Sequence, residues 1–136
     1  MNELVIEADR NNLLKVQSFI DEHLEEAGCP MLTQIAIDVA VEELFVNIAS
    51  YAYDQEIGVV LVQAELLKDP LSVEITFIDN GKQYNPLAKP DPDITLSAKQ
   101  RKKSGLGIFM VKNSMDDVSY EYKDGKNILT IKKNLN

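Results

Sequence analysis

Glu43 and Asn47 stand four residues apart in the stretch IAIDVAVEELFVNIA over residues 35–49, where the other polar residues are Asp38 and Glu42. On a helix, residues four apart stack on one face. A carboxylate and a carboxamide placed there bring a proton acceptor and a hard oxygen ligand together, as a proton transfer beside a divalent cation requires. Asp38 and Glu42 make a second polar stripe, and at about 100° per residue the two stripes point about 140° apart. The Asp38–Glu42 stripe is the expected solvent face, which leaves Glu43 and Asn47 among Ala36, Val39, Ala40 and Val46. A bland reading stands beside the chemical one: both stripes are wet, since surface Glu and Asn are common. If Glu43 is partly buried, its pKa is raised, which suits a general base.

Three loop features add to this pair. Ile75-Thr76-Phe77-Ile78 runs into Asp79-Asn80-Gly81. Asp followed closely by Gly at a strand end is by default a hairpin turn, but here a long polar loop follows instead of a returning strand. Gly105-Leu106-Gly107 opens a helical pattern, and backbone amides at a helix start bind anions; a simple hinge is the alternative. No Walker-A pattern is present, which excludes a P-loop. Lys99, Arg101, Lys102 and Lys103 cluster just before those glycines in an acidic chain. Phosphoryl transfer is mostly positioning and charge neutralisation, which such cations would supply; a solvated loop is the plain alternative. Arg101 is the favoured contact, because guanidinium pairs with phosphate bidentately.

The elements that must position these residues follow from pattern and punctuation. Leu4–Ile6 reads as a first strand. Asn11 is expected to cap a helix to about Ala27, with Leu13, Val16, Ile20 and Leu24 at helical spacing, stopped by Gly28 and Pro30. A second helix is expected from about Thr33 to Tyr51. Residues 59–67 and 71–78 are rich in Val, Ile and Leu and form a hairpin around Lys68-Asp69-Pro70. A loop of about 25 residues, long enough to be functional, precedes a third helix from Gly105 to about Met115. Val118–Tyr122 and Ile128–Lys132 are the last strands, around Asp124-Gly125. Strand and helix do not alternate regularly. A two-layer α+β sandwich is therefore expected, a mainly antiparallel mixed sheet with about three helices on one face.

The chain has 136 residues, which predicts one domain over 1–136. With 14 basic and 22 acidic residues its net charge is −8, so phosphate backbones repel it and nucleic acid is not an expected partner. One cysteine, Cys29, and one histidine, His23, give no disulfide and no zinc pattern. No apolar run is long enough to span a bilayer and the N-terminus is unlike a signal peptide, so a cytoplasmic location away from membranes is expected.

Taken in order, Glu43-x-x-x-Asn47, Asp79-x-Gly81, Gly105-x-Gly107 and a final strand with Thr130 resemble the nucleotide-binding boxes of the GHKL (Bergerat-fold) ATPases. The likeness is nearest to the stand-alone anti-sigma-factor serine/threonine kinases of bacteria. It rests on VEELFVNIASYAY, ITFIDNGKQYNP, SGLGIFMVKNSMDDVSYEY and DGKNILTIKK. It departs from the family at Ser50-Tyr51, where a histidine is common, and at Lys103-Ser104, where many relatives carry another glycine.

The resemblance implies roles. Glu43 is the general base towards a protein serine. Asn47 ligates Mg²⁺ on the ATP phosphates. Asp79 accepts from the adenine amino group, and Gly81 lets the backbone approach the base. A lid over about 85–104 carries Arg101 and Lys103 to the phosphates. Gly105, Leu106 and Gly107 close it with their amides, and Thr130 lies near the adenine. It also implies a kinase that holds a sigma factor inactive and phosphorylates a serine of a small antagonist of STAS type. A homodimer through the first strand and helix is compatible with it. Two other readings remain: a non-catalytic module whose nucleotide state sets partner binding, and a histidine-kinase catalytic piece. His23 lacks the heptad setting the last would need.

Overall fold

The computed structural model describes residues 2–52, 58–88 and 103–135, without the side chains of 103–106. Lys99, Arg101, Lys102, Tyr53 and most of the expected lid lie outside the described residues.

Five strands form one sheet: β1 (Asn2–Glu7), β2 (Val59–Leu67), β3 (Ser72–Asp79), β4 (Asp117–Lys123) and β5 (Lys126–Asn134). Their spatial order is β1-β2-β3-β5-β4. All four pairings are antiparallel, so the expected mixed character is absent among the described residues. β5 lies between β3 and β4, which places its first residues beside the end of β3.

Three helices cover one face: α1 (Leu13–Glu26), α2 (Met31–Tyr51) and α3 (Lys103–Ser114). The entry to α1 differs from expectation. Asp9, not Asn11, is the cap: its side chain accepts from Asn11 N at 2.9 Å and starts a 3-10 turn, Arg10–Asn12, ahead of the helix. A short acidic side chain satisfies the free amides of a helical start in this way. α2 begins two residues earlier than expected, directly after Pro30, whose extended backbone does not join the helix.

Period-two alternation sends Val60 and Val62 of β2, Ile75 and Phe77 of β3, and Leu129 and Ile131 of β5 inward. They meet Ile20 and Leu24 of α1, Leu44 and Phe45 of α2, and Ile108 and Val111 of α3 in one buried cluster. Burying such side chains contributes about 1.5–3 kcal/mol each relative to exposure. The same alternation buries Asp79 and Asn127 on the helix side of the sheet.

One stripe of α2 does not face where the sequence suggested. Glu42 is exposed, but Asp38 is half-buried against α1. Burial between the helices, then the hydrogen-bonded carboxyl of Asp21, push the Asp38 pKa up to about 7. Oδ1 of Asp21 and Oδ1 of Asp38 are both buried with no donor among the described residues. The water-facing side of α2 carries Met31, Leu32, Ile35 and Val39 instead. α1 packs on the side of α2 that holds Asp38, a choice that helical periodicity alone does not reveal.

Candidate functional site

The C-terminal half of α2, the end of β3, the segment after it and the start of β5 enclose a pocket. Leu44, Ile48, Ala52, Pro86 and Leu129 give it an apolar wall, and Asn47, Asp79, Tyr84, Tyr120 and Asn127 supply polar atoms. An apolar slot with a few convergent polar groups is the usual form of a small-molecule site.

Asp79 is the buried charge of this pocket. Its Oδ1 accepts from Gly81 N at 3.0 Å and from Asn127 Nδ2 at 3.0 Å. Both bonds fall on one oxygen, so Oδ2 is the one left for a ligand donor. Burial raises the Asp79 pKa, while the bonds from Asn127 and Gly81 oppose that rise. Asn127 is the residue that sequence reasoning missed. Its Nδ2 also donates to Lys82 O at 2.9 Å, and its Oδ1 accepts from Tyr84 N at 3.1 Å and from the Tyr120 hydroxyl. One carboxamide thus ties β3, the 82–84 segment and β4 together. A signal was present: with Leu129 and Ile131 inward, Asn127 is inward by the same alternation.

Thr130 is the corresponding correction. It is next to an inward residue, so it points out of the opposite face of the sheet, where its Oγ1 lies 3.4 Å from Thr76 Oγ1. It is not part of this pocket.

Asn47 and Glu43 lie on the inward side of α2, both partly buried. Asn47 lines the pocket, and its Oδ1 is buried with no hydrogen-bond donor among the described residues. A buried carbonyl oxygen without a donor costs free energy unless something binds it. It suits a hard cation such as Mg²⁺, which takes one or two protein oxygens and completes its shell with phosphate and water. No cluster of three or more acidic, His or Cys residues fit for a metal exists among the described residues.

Glu43 faces α3. A Cβ added to Gly107 would sit 2.5 Å from Glu43 Cδ and closer still to its Oε2. The bare backbone of Gly107 is what lets the carboxylate occupy the α2–α3 seam. Burial there, and then the neighbouring Glu42 charge, raise the Glu43 pKa.

α3 starts at Lys103, two residues before the expected point. Lys103, Gly105 and Leu106 lie in its first turn, where N–H groups lack intrahelical acceptors. Gly107 is the fifth residue, so its N–H belongs to the helix ladder rather than to an anion. Gly81 also serves a close approach: a Cβ there would lie 2.8 Å from Ala52 Cβ and nearer to its carbonyl. Lys82 N donates to that same Ala52 O at 2.9 Å, closing the end of α2 over the β3 loop. Tyr51, 41% exposed at the rim, stacks in a tilted pair with Tyr84, centroids 5.5 Å apart.

Residues 6–133 match the histidine kinase-like ATPase domain family. A protein named Serine-protein kinase RsbW from Bacillus cereus (strain AH187) is 30% identical over 119 residues, 80% of this chain and 73% of that protein. One named Anti-sigma F factor from Caldanaerobacter subterraneus subsp. tengcongensis is 28% identical over 101 residues, 74% of this chain and 69% of that one. Among solved structures, the RsbU and RsbW domains of a Mycobacterium tuberculosis protein superpose with TM-score 0.68 at 20% identity. The match covers 99% of this chain and 33% of that one. A histidine kinase domain from Erythrobacter litoralis gives TM-score 0.60 at 17% identity, over 96% and 62%. At these identities both structures show a shared fold.

Proposed function

This chain belongs to the histidine kinase-like ATPase domain family, and from that premise we propose that it is an ATP- and Mg²⁺-dependent serine kinase of the anti-sigma type. It binds a sigma factor and phosphorylates a serine on a small STAS-type antagonist. The observation that carries this is the placement of Glu43 and Asn47 one turn apart on the inward side of α2, with Asn47 in the same pocket as Asp79. The kinase and anti-sigma names of the two relatives support the same class.

Each residue has a defined task in this reading. Asp79 Oδ2 accepts a hydrogen bond from the exocyclic amine of adenine, which guanine lacks at that position. Asn127 holds Asp79 in place from the other side. Asn47 Oδ1 would hold Mg²⁺, which when bound neutralises phosphate charge. Glu43 takes the proton of the incoming serine hydroxyl as its oxygen forms the new bond to the γ-phosphorus, while the bond from that phosphorus to the β–γ bridging oxygen breaks and ADP leaves with the electron pair. The raised pKa of Glu43 brings its basicity nearer to that task.

The test is Glu43→Gln in a phosphotransfer assay with γ-labelled ATP and a STAS-type antagonist carrying its acceptor serine. Loss of transfer by about 10²–10⁴-fold with ATP binding retained supports the kinase. An acid-stable product separates phosphoserine from phosphohistidine. Unchanged activity in Glu43→Gln overturns the role of the base and leaves a module that only senses nucleotide.

A further inference from the structure

Asn127 connects the pocket to a side chain two strands away from Asp79. Tyr120 lies on β4, the edge strand, which pairs with β5 and not with β3. It stands opposite Leu129, so it shares the inward face with Leu129 and, two residues earlier on β5, with Asn127. Its ring forms part of the pocket wall, and its hydroxyl donates to Asn127 Oδ1. Burial raises the Tyr120 pKa, the Tyr84 backbone N–H opposes that rise and the Asp79 charge adds to it. The net effect keeps the phenol protonated and able to donate.

The carboxamide between them has no capacity to spare. Its Nδ2 donates to Asp79 Oδ1 and Lys82 O, and its Oδ1 accepts from Tyr84 N and the Tyr120 hydroxyl. A carboxamide offers two donors and two lone pairs, so all four are used. Asn127 therefore has no hydrogen bond left for a bound base and acts on one through Asp79. Asp79 Oδ1 is filled in turn by Gly81 N and Asn127 Nδ2, which leaves Oδ2 as the end of the chain of bonds. Of the three other groups on Asn127, Lys82 O and Tyr84 N are backbone, which any sequence supplies. The Tyr120 hydroxyl is the one set by the choice of side chain. A donor on the amide oxygen also polarises the carboxamide and strengthens the bond that its N–H makes.

We propose that Tyr120 is a positioning residue for base recognition: through Asn127 it orients the Asp79 carboxylate so that Oδ2 meets the 6-amino group of a purine. This rests on the reading of Asp79 as the acceptor of the adenine amine.

Calorimetric titration of the full chain with two nucleotides tests it. ATP carries the 6-amino group; purine riboside triphosphate is the same molecule with hydrogen in its place. Both are titrated with Mg²⁺ present. The wild type should prefer ATP by about tenfold or more, the worth of a hydrogen bond to a charged group. Tyr120→Phe keeps the ring in the pocket wall and removes one oxygen. It should cut that preference by about two- to fivefold. Tyr122→Phe removes the same atom from the next phenol on this face, 40% exposed, and should leave the preference unchanged. The ratio is taken within each variant, so a general softening of the pocket, which weakens both nucleotides alike, cancels. If Tyr120 only braces the fold, Tyr120→Phe weakens both together and the ratio holds; that result overturns the proposal. An equal fall of the ratio in Tyr122→Phe overturns it too. Equal affinity of the wild type for the two nucleotides overturns the reading of Asp79 as well.

Discussion

Asn127 sits directly opposite Asp79 in the β3–β5 ladder and donates Nδ2 to its Oδ1 at 3.0 Å. The pair is buried, and the carboxamide uses both ends: two acceptors on its nitrogen and two donors on its oxygen. Removing it leaves several buried groups unpaired at once. Asn127→Ala should cost about 1–3 kcal/mol, a drop of several degrees in Tm, and should weaken ATP binding because Asp79 loses its orientation. Asn127→Asp should be worse at neutral pH, where two carboxylates would face each other, and should recover towards acid as one of them protonates and donates. Thermal melts of both variants across pH check this.

Nucleotide binding should appear as stabilisation. A ligand at 100 times its Kd stabilises by about 2.7 kcal/mol, roughly 8 °C for a chain of this size. Mg-ATP and Mg-ADP should give such a shift and Mg-GTP should not. Asp79→Ala should abolish it. A shift equal for ATP and GTP would mean that Asp79 does not read the base.

Two glycines should respond oppositely to the same substitution. Gly107→Ala introduces a methyl where the Glu43 carboxylate lies. The side chain can swing away, and alanine favours a helix interior by about 0.5–1 kcal/mol, so stability should hold while phosphotransfer falls. Gly81→Ala meets the Ala52 backbone, which cannot swing away, and overpacking of that kind costs about 1–3 kcal/mol. Paired melting and activity measurements separate the two.

The rate should carry an acid limb set by Glu43. The base must be ionised, and burial with the Glu42 charge raises its pKa. Phosphotransfer at saturating ATP should therefore rise with pH through a midpoint above the ordinary carboxylate range. Glu42→Gln, which removes the like charge, should move that midpoint down. A limb at the ordinary glutamate pKa would mean that Glu43 is not the titrating base.

Asp38 predicts a dependence of stability on pH. Its pKa rises from 3.8 to about 7 on folding. The folded state therefore holds a proton that the unfolded chain has released. Its stabilising contribution is complete below about pH 4 and is lost as pH rises through about 7. Asp38→Asn should remove this slope, raising Tm at pH 8 while changing it less at pH 5. Oδ1 of Asp21 would then have an amide donor in place of a second carboxylate.

Much of the site was legible in the sequence because it depends on local spacing. Glu43 and Asn47 share a side of α2 by the arithmetic of 3.6 residues per turn, and hydrophobic runs marked β2, β3 and β5 to within a few residues. Asp79 at the end of an apolar strand, followed by glycine without a returning strand, pointed to a site rather than a turn. What the linear pattern did not carry was which side each element turns towards its neighbours. Asp38 read as a solvent residue because helical periodicity separates stripes without saying which one meets α1. Thr130 read as a pocket residue and Asn127 was passed over. A strand's alternation assigns faces only in pairs, and a one-residue difference exchanges the pocket for the opposite face. Register with β3 decided that, and register is a property of the assembled sheet. The sequence by itself determined the elements, their order and the chemistry of the α2 pair. Only tertiary packing decided that Asn127 meets Asp79 and that Gly107 makes room for Glu43. Each joins residues far apart in the chain, where no local periodicity reaches.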